Sequence, residues 1–208
     1  MTVIKICGIT NFDDALAAVS AGAGALGFNF YKPSPRYISP QNARAIIEQL
    51  PAPVLTVGVF VNEESGSLKA IADESGIEAL QLHGDESPDY CRELAADHYV
   101  IKTLAVSHSF DSQTVQSYKV AAIMLDTKHN SLRGGTGRVF DWSIARQVSQ
   151  LVPKLFLAGG LSPENVAGAI EAVRPYAVDA CSSLEENPGK KNHQRMRSFI
   201  ETARSVKP

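Results

Sequence analysis

Short apolar runs recur along this chain about every 25 residues, each followed by a stretch with helical signals, and that alternation constrains the fold more than any other feature. The runs are Val3 to Ile9, Ala25 to Phe30, Leu55 to Val61, Ala79 to His83, Val100 to Val106, Ala122 to Asp126, Leu155 to Ala158 and Ala177 to Ser182. Between them, Asn11, Ser39, Ser87 and Ser162 sit where helix N-caps belong, and Pro40 and Pro163 fall at early helical positions. Strand–helix alternation implies parallel strands, because each crossover is long enough to hold a helix. Eight such units predict an α/β fold, a single-domain (β/α)8 TIM barrel over residues 1–208, with an open doubly wound sheet as the alternative. Barrels of this type begin at about 200 residues.

Composition narrows the partners. The formal net charge of -2 gives no electrostatic reason to expect nucleic acid or an anionic membrane. No apolar run approaches the roughly 18 residues of a membrane span. The opening Met1-Thr2-Val3-Ile4-Lys5 lacks the pattern of a signal peptide, so a cytoplasmic location is expected. The three cysteines, Cys7, Cys91 and Cys181, are far apart and form no CxxC or Cys/His cluster, which argues against a disulfide framework or structural zinc.

Side-chain alternation sorts the strand residues. Ile4 and Ile6 share one face, and Lys5 and Cys7 the other. Leu80 and Leu82 oppose Gln81 and His83; Ile123 and Leu125 oppose Met124 and Asp126; Val178 and Ala180 oppose Asp179 and Cys181. The aliphatic face should pack on helices and the other face should point into the barrel, with Asn29 and Lys102 also expected inward. Lys5 is expected to pair with Asp179, and Lys102 with another acceptor. Cys7 and Asp126 fall at the C-terminal ends of their strands, the rim where barrels place their chemistry.

Strand 7 ends Leu157-Ala158-Gly159-Gly160-Leu161 and strand 8 ends Ala180-Cys181-Ser182-Ser183. Small residues there let backbone N–H groups approach a ligand, and loops 7 and 8 form the recurrent phosphate site of this fold. Gly159, Gly160, Ser182 and Ser183 are therefore candidate phosphate-binding residues. Gly134-Gly135-Thr136-Gly137 lacks the Lys-Ser/Thr pair of a Walker loop and reads as an active-site loop bounded by Arg133 and Arg138. Cys91 reads as structural, His83 as lining the site, and Trp142 as packing at a helix start.

Taken together, these segments resemble the phosphoribosylanthranilate isomerase family. The matching pieces are Lys5-Ile6-Cys7-Gly8-Ile9-Thr10, Ser34-Pro35-Arg36-Tyr37, Val57-Gly58-Val59-Phe60 and Gln81-Leu82-His83-Gly84. They continue with Leu125-Asp126-Thr127, Gly134 to Gly137, Phe140-Asp141-Trp142, Leu157 to Leu161 and Pro188-Gly189-Lys190-Lys191. One stretch departs from the common pattern: Asp179-Ala180-Cys181-Ser182-Ser183-Leu184-Glu185 has Cys181 for a serine and Ser183 for a glycine. A glycine with φ > 0 there would leave Ser183 strained.

The resemblance implies an aldose–ketose isomerase of tryptophan biosynthesis. It would convert N-(5-phospho-β-D-ribosyl)anthranilate to 1-(2-carboxyphenylamino)-1-deoxy-D-ribulose 5-phosphate by an Amadori rearrangement. It also implies Asp126 as general acid on the ring oxygen, Cys7 as general base at C2′ and Arg36 holding the anthranilate carboxylate. No metal or organic cofactor is expected, because the substrate's own nitrogen delocalises charge as the ring opens. The expected partner is that small phosphosugar–anthranilate substrate, for a monomer or homodimer. A free cysteine is only a few per cent thiolate at pH 7, so a nearby cation such as Lys5 is expected. Protonating an ordinary aspartate at that pH costs about 4 kcal/mol, so burial of Asp126 is expected. Competing readings are a Schiff-base aldolase using Lys5 or Lys102, a metal-dependent sugar-phosphate epimerase, and a non-catalytic metabolite sensor.

Overall fold

The computed structural model describes residues 1–107, 109–127 and 141–206. Eight parallel strands close into a barrel in sequence order: β1 (Val3–Cys7), β2 (Ala25–Asn29), β3 (Leu55–Phe60), β4 (Ala79–Leu82), β5 (Tyr99–Val106), β6 (Ala122–Thr127), β7 (Leu155–Leu157) and β8 (Ala177–Ala180). Closure comes from β1 against β8, with Val3 opposite Ala177, Lys5 opposite Asp179 and Ile6 opposite Ala180. The open-sheet alternative is excluded.

Helices α1 (Phe12–Ala21), α2 (Pro40–Ile47), α3 (Ser65–Ser75), α4 (Pro88–Leu94), α5 (Trp142–Ser149), α6 (Val166–Val173) and α7 (His193–Ser205) surround the strands. Asn11, Ser39 and Ser87 cap as expected, each accepting from a backbone N–H three residues on. Ser162 does not cap a helix. Its hydroxyl accepts from Glu164 N inside a turn that Asn165 closes by accepting from Ser162 N, and α6 begins at Val166. Among the described residues the crossover between β5 and β6 holds a 3-10 turn, Ser112–Ser117, whose single buried residue is Val115, and no α-helix. One apolar anchor cannot make the stripe that an α-helix needs to dock.

The alternation of faces is as expected for β1, β4, β6 and β8, and Asn29 on β2 faces inward as expected. Ile4, Ile6, Leu80, Leu82, Ile123, Leu125 and Val178 pack outward with the helices. Ala25, Val57, Ala79, Ile101, Met124, Phe156 and Ala177 fill the interior. Lys102 is the correction. Ile101 lies inside and Val100 and Leu104 outside, so Lys102 faces outward with the aliphatic set. Its ammonium is buried beneath the loop after β4, donating to Gly84 O at 2.6 Å, Leu82 O at 3.4 Å and Glu86 Oε2 at 2.5 Å.

Lys5, wholly buried, meets Asp179 Oδ1 at 2.7 Å inside the barrel. Burial pushes the Asp179 carboxyl up to about 6 even against the pull of Lys5. A carboxyl raised in the folded state contributes stability at low pH that is lost as pH rises through that value. Replacing Lys5→Met leaves this carboxylate unpaired and should cost about 3–5 kcal/mol at pH 8. The loss should be smaller at pH 5, where folded Asp179 takes up a proton. Urea unfolding at both pH values checks this; equal losses would contradict it.

Candidate active site

The base of the mouth is built from β1, β2 and β8. Cys7 ends β1 on the inward face, two residues past Lys5. Gly27, its inward neighbour on β2, has no side chain, and the space is used: a Cβ there would lie 2.7 Å from Cys7 Sγ and 3.1 Å from Lys5 Nζ. The ammonium therefore reaches the thiol. Cys7 is held well below the usual thiol range, first by a hydrogen bond from the Cys181 thiol and then by Lys5 and Lys191, against the opposing effect of burial. Cys181 is pushed upward by that same bond, by burial and by the charge on Cys7.

A short hairpin, β9 (Glu185–Asn187) and β10 (Lys190–Lys191), folds over this corner. It delivers Glu185 and Lys191, whose side chains meet at 3.0 Å. Lys191 Nζ also donates to Cys181 O at 3.3 Å and lies 3.8 Å from its sulfur. Arg36 follows β2. Its backbone N–H donates to Ser34 Oγ, which also accepts from Asn29, so the inward Asn29 pins the loop. The guanidinium donates to Glu185 through Nε and Nη2, at 2.7 Å for the shortest contact. Nη1 and the second N–H of Nη2 are not used by that carboxylate, and together they form the edge that can face a second planar carboxylate.

The other half of the mouth belongs to β4, β6 and β7. Asp126 lies inward on β6, which runs on to Thr127. Its Oδ2 is 3.4 Å from His83 Nε2, with the two side chains 23% and 36% exposed, so Asp126 is open to water rather than buried as expected. Gln81 Nε2 lies 2.9 Å from His83 Nδ1. An amide donating to Nδ1 leaves the ring proton on Nε2, aimed at Asp126. A cavity of about 560 Å³ lies here, lined by Asn62, His83, Lys102, Tyr118, Asp126 and Thr127.

Between the halves lie the loops after β7 and β8. Gly159 has φ +83, and a Cβ on it would strike Thr127 N at 2.6 Å. Gly160 has φ +74 and is exposed, with open space where its Cβ would be. Ser182 and Ser183 start a 3-10 turn, Ser182–Leu184. Ser183 is not in the left-handed region, so the strain anticipated for it does not arise. Its hydroxyl donates to Leu161 O, tying the two loops together and leaving its N–H rather than its O–H for a ligand.

The expected residues Cys7, Asp126, Arg36, His83, Gly159, Gly160, Ser182 and Ser183 thus gather at one end of the barrel. Glu86, Glu185, Lys191 and Cys181 were missed as contributors. Glu86 and Glu185 reach their partners from loops and a hairpin that no strand period describes. The Arg133 to Arg138 segment, with its glycines, lies outside the described residues. Cys91 is buried in α4 and Trp142 packs at the start of α5, both as expected.

Comparison with known proteins agrees with this geometry. A family model described as N-(5'phosphoribosyl)anthranilate (PRA) isomerase matches residues 4–202. The isomerase of Thermotoga neapolitana is 47% identical over 99% of this chain and 100% of its own length. The Thermotoga maritima phosphoribosyl anthranilate isomerase structure is 46% identical, covers 99% of this chain and 100% of its own, and superposes with a TM-score of 0.93. A phosphoribosyl anthranilate isomerase solved with reduced 1-(o-carboxyphenylamino)-1-deoxyribulose 5-phosphate is 44% identical over 99% and 100% of the two chains, with a TM-score of 0.89.

The thiols give this geometry a direct test. Burial pushes Cys91 up to about 11, whereas Cys7 is held down. In short iodoacetamide pulses between about pH 5 and 10, followed by peptide mass spectrometry, Cys7 should label with an inflection below the usual 8.5 of a free thiol. Cys91 should stay unlabelled in the same pulses. Lys191→Met should move the Cys7 inflection upward; an unchanged inflection would remove Lys191 from its electrostatic role.

Proposed function

This chain belongs to the phosphoribosylanthranilate isomerase family, and from that premise we propose that Cys7 is its general base and Asp126 its general acid. The reaction is the aldose–ketose isomerisation of N-(5-phospho-β-D-ribosyl)anthranilate to 1-(2-carboxyphenylamino)-1-deoxy-D-ribulose 5-phosphate, in tryptophan biosynthesis. The observation that carries the assignment is Cys7 at the strand end, its thiol held down by Cys181, Lys5 and Lys191, across the mouth from a carboxyl whose ion-pairing partner among the described residues is an imidazole.

The chemistry follows from those placements. Asp126 protonates the ribose ring oxygen as the C1′–O bond breaks, and the substrate nitrogen takes up the developing positive charge. The iminium so formed acidifies the proton on C2′. The Cys7 thiolate removes that proton, and the electron pair neutralises the nitrogen to give an enol that tautomerises to the ketose. His83 Nε2 stands 3.4 Å from Asp126 Oδ2, and Oδ1 lies on the Gly159 side for the substrate. Substrate seated over the partly exposed Asp126 excludes water from the proton transfer.

Around the rim, Arg36 follows β2, Cys7 ends β1, Ser182 follows β8, Gly160 follows β7, and Asp126 lies on β6. We assign the anthranilate carboxylate to the free edge of Arg36. The phosphate goes to the backbone N–H groups of Gly159, Gly160, Ser182 and Ser183, with open space over Gly160 to receive it. The base then lies between the two anchors. The aldolase reading loses its nucleophile: Lys5 is ion-paired and held protonated, and Lys102 points away from the interior with its ammonium committed to three acceptors. The whole chain, 1–208, acts as one such domain, a cytoplasmic monomer or homodimer; no helix among the described residues is long and apolar enough to cross a membrane.

Loss of a positioned acid or base costs typically 10²–10⁴-fold. In a fluorescence assay following consumption of phosphoribosylanthranilate, Cys7→Ser and Asp126→Asn should each lower kcat by about that factor with KM little changed. Arg36→Met should raise KM more than it lowers kcat. Full turnover by Cys7→Ser would remove the base assignment, and unchanged kcat in Asp126→Asn would remove the acid.

A further inference from the structure

The register sets Lys5 opposite Asp179 and Ile6 opposite Ala180, where β8 ends, and Cys7 and Cys181 are the next residue on each side. Strand neighbours lie about 4.8 Å apart, inside the window of about 4.4–6.8 Å between Cα atoms that a disulfide requires. Both side chains follow inward-facing partners, Cys7 after Lys5 and Cys181 after Asp179, so they share one face of the wall. Each thiol has the largest effect on the other's acidity, Cys181 lowering Cys7 and Cys7 raising Cys181. Cys181 Sγ would also be 2.8 Å from a Cβ on Gly8, the residue after Cys7. Cys181 is partly exposed at the mouth, the same opening through which substrate must reach Cys7.

We propose that Cys7 and Cys181 are a redox modification site, which a hydroperoxide converts to a reversible disulfide that withdraws Cys7 from catalysis. This rests on the reading of Cys7 as the base. In the first step the Cys7 thiolate attacks one peroxide oxygen. The S–O bond forms, the O–O bond breaks, and the departing alkoxide or hydroxide takes a proton, leaving Cys7 as a sulfenic acid. In the second step the Cys181 sulfur attacks Cys7 sulfur. The S–S bond forms, the S–O bond breaks, and hydroxide leaves with the Cys181 proton as water. Two thiols and one hydroperoxide thus give one disulfide, one alcohol or water, and one water. The thiols lose the two electrons that the peroxide gains.

The surroundings suit each step. Before oxidation the pair is polarised, with Cys7 as thiolate and Cys181 holding its proton, so the peroxide has one clear target. Once Cys7 carries oxygen, the charge that kept Cys181 protonated is gone. Lys191 Nζ, 3.8 Å from the Cys181 sulfur, and the Arg36 guanidinium then favour its thiolate. The third thiol, Cys91, is enclosed in α4 and does not compete.

The purified full-length protein is exposed to hydrogen peroxide, quenched with an alkylating agent and mapped by peptide mass spectrometry without reduction, and its isomerase activity is read before and after dithiol. The expected result is one Cys7–Cys181 cross-linked peptide, activity lost more than tenfold, and recovery with dithiol. In Cys181→Ser, scored against its own reduced form, no cross-link should form. Cys7 should progress to sulfinic and sulfonic acid, and dithiol should restore little activity. Overoxidised Cys7 with no cross-link in the parent protein would overturn the proposal, as would full dithiol recovery in Cys181→Ser. A complete cross-link with full activity would instead overturn the switch by showing that Cys7 is not the base. Absence of a cross-link leaves that assignment to the Cys7→Ser kinetics.

Discussion

The ion pair between Lys5 and Asp179, at 2.7 Å where β1 meets β8, is the interaction on which the base end of this barrel depends. Two charges in a dry interior survive only in good mutual geometry, because the desolvation cost of each is several kcal/mol. The pairing of β1 with β8 supplies that geometry directly, since the two residues stand opposite one another in register. The same register aligns everything above the pair. A slip of one residue would turn Lys5 and Cys7 out toward the helices and break the barrel's polar interior as well as its rim. Closure of the fold and placement of the thiol are therefore one event.

From that pair upward the mouth divides by charge. On the β1, β2 and β8 side, Lys5, Lys191 and Arg36 surround the thiol, with Glu185 satisfying both Arg36 and Lys191 at once. A carboxylate shared by two cations leaves one positive charge over, which suits a thiolate and a substrate that carries both a carboxylate and a phosphate. Glu185 also consumes one edge of the Arg36 fork. Lysine in place of Arg36 would have no second edge to offer, so the planar guanidinium both braces the hairpin and keeps a binding face.

The strand faces were legible because period-two alternation survives in short parallel strands, and the inward position of Cys7, His83, Asp126 and Asp179 follows from it. Lys102 shows where that reading slipped. Val100, Lys102 and Leu104 share one parity, so the pattern itself points Lys102 outward; its charge suggested an interior place that the alternation contradicts. Its partner Glu86 comes from the loop after β4, and loops carry no period to read. The proximity of Cys7 and Cys181 was hidden for a related reason. They are remote in sequence, and only the closing register of the barrel makes them neighbours. Strain at Ser183 would follow only if a residue there needed positive φ. The 3-10 turn after β8 removes that need, and the serine hydroxyl becomes a tie to Leu161 instead.

The separation of base and acid is itself a requirement. A thiolate and a carboxylic acid in contact would exchange a proton and leave a neutral thiol beside a carboxylate, which is the wrong pair for this chemistry. Between β1 and β6 stand β8 and β7, so Cys7 and Asp126 face each other across the rim. Only a bound molecule can connect them. The cations lie with the residue that must lose its proton, while Asp126 has only His83 as its ion-pairing partner among the described residues. A barrel whose interior lysine stood beneath β6 instead of β1 would favour the carboxylate and starve the thiolate. The position of one buried ion pair thus decides which end of the mouth can take a proton from carbon.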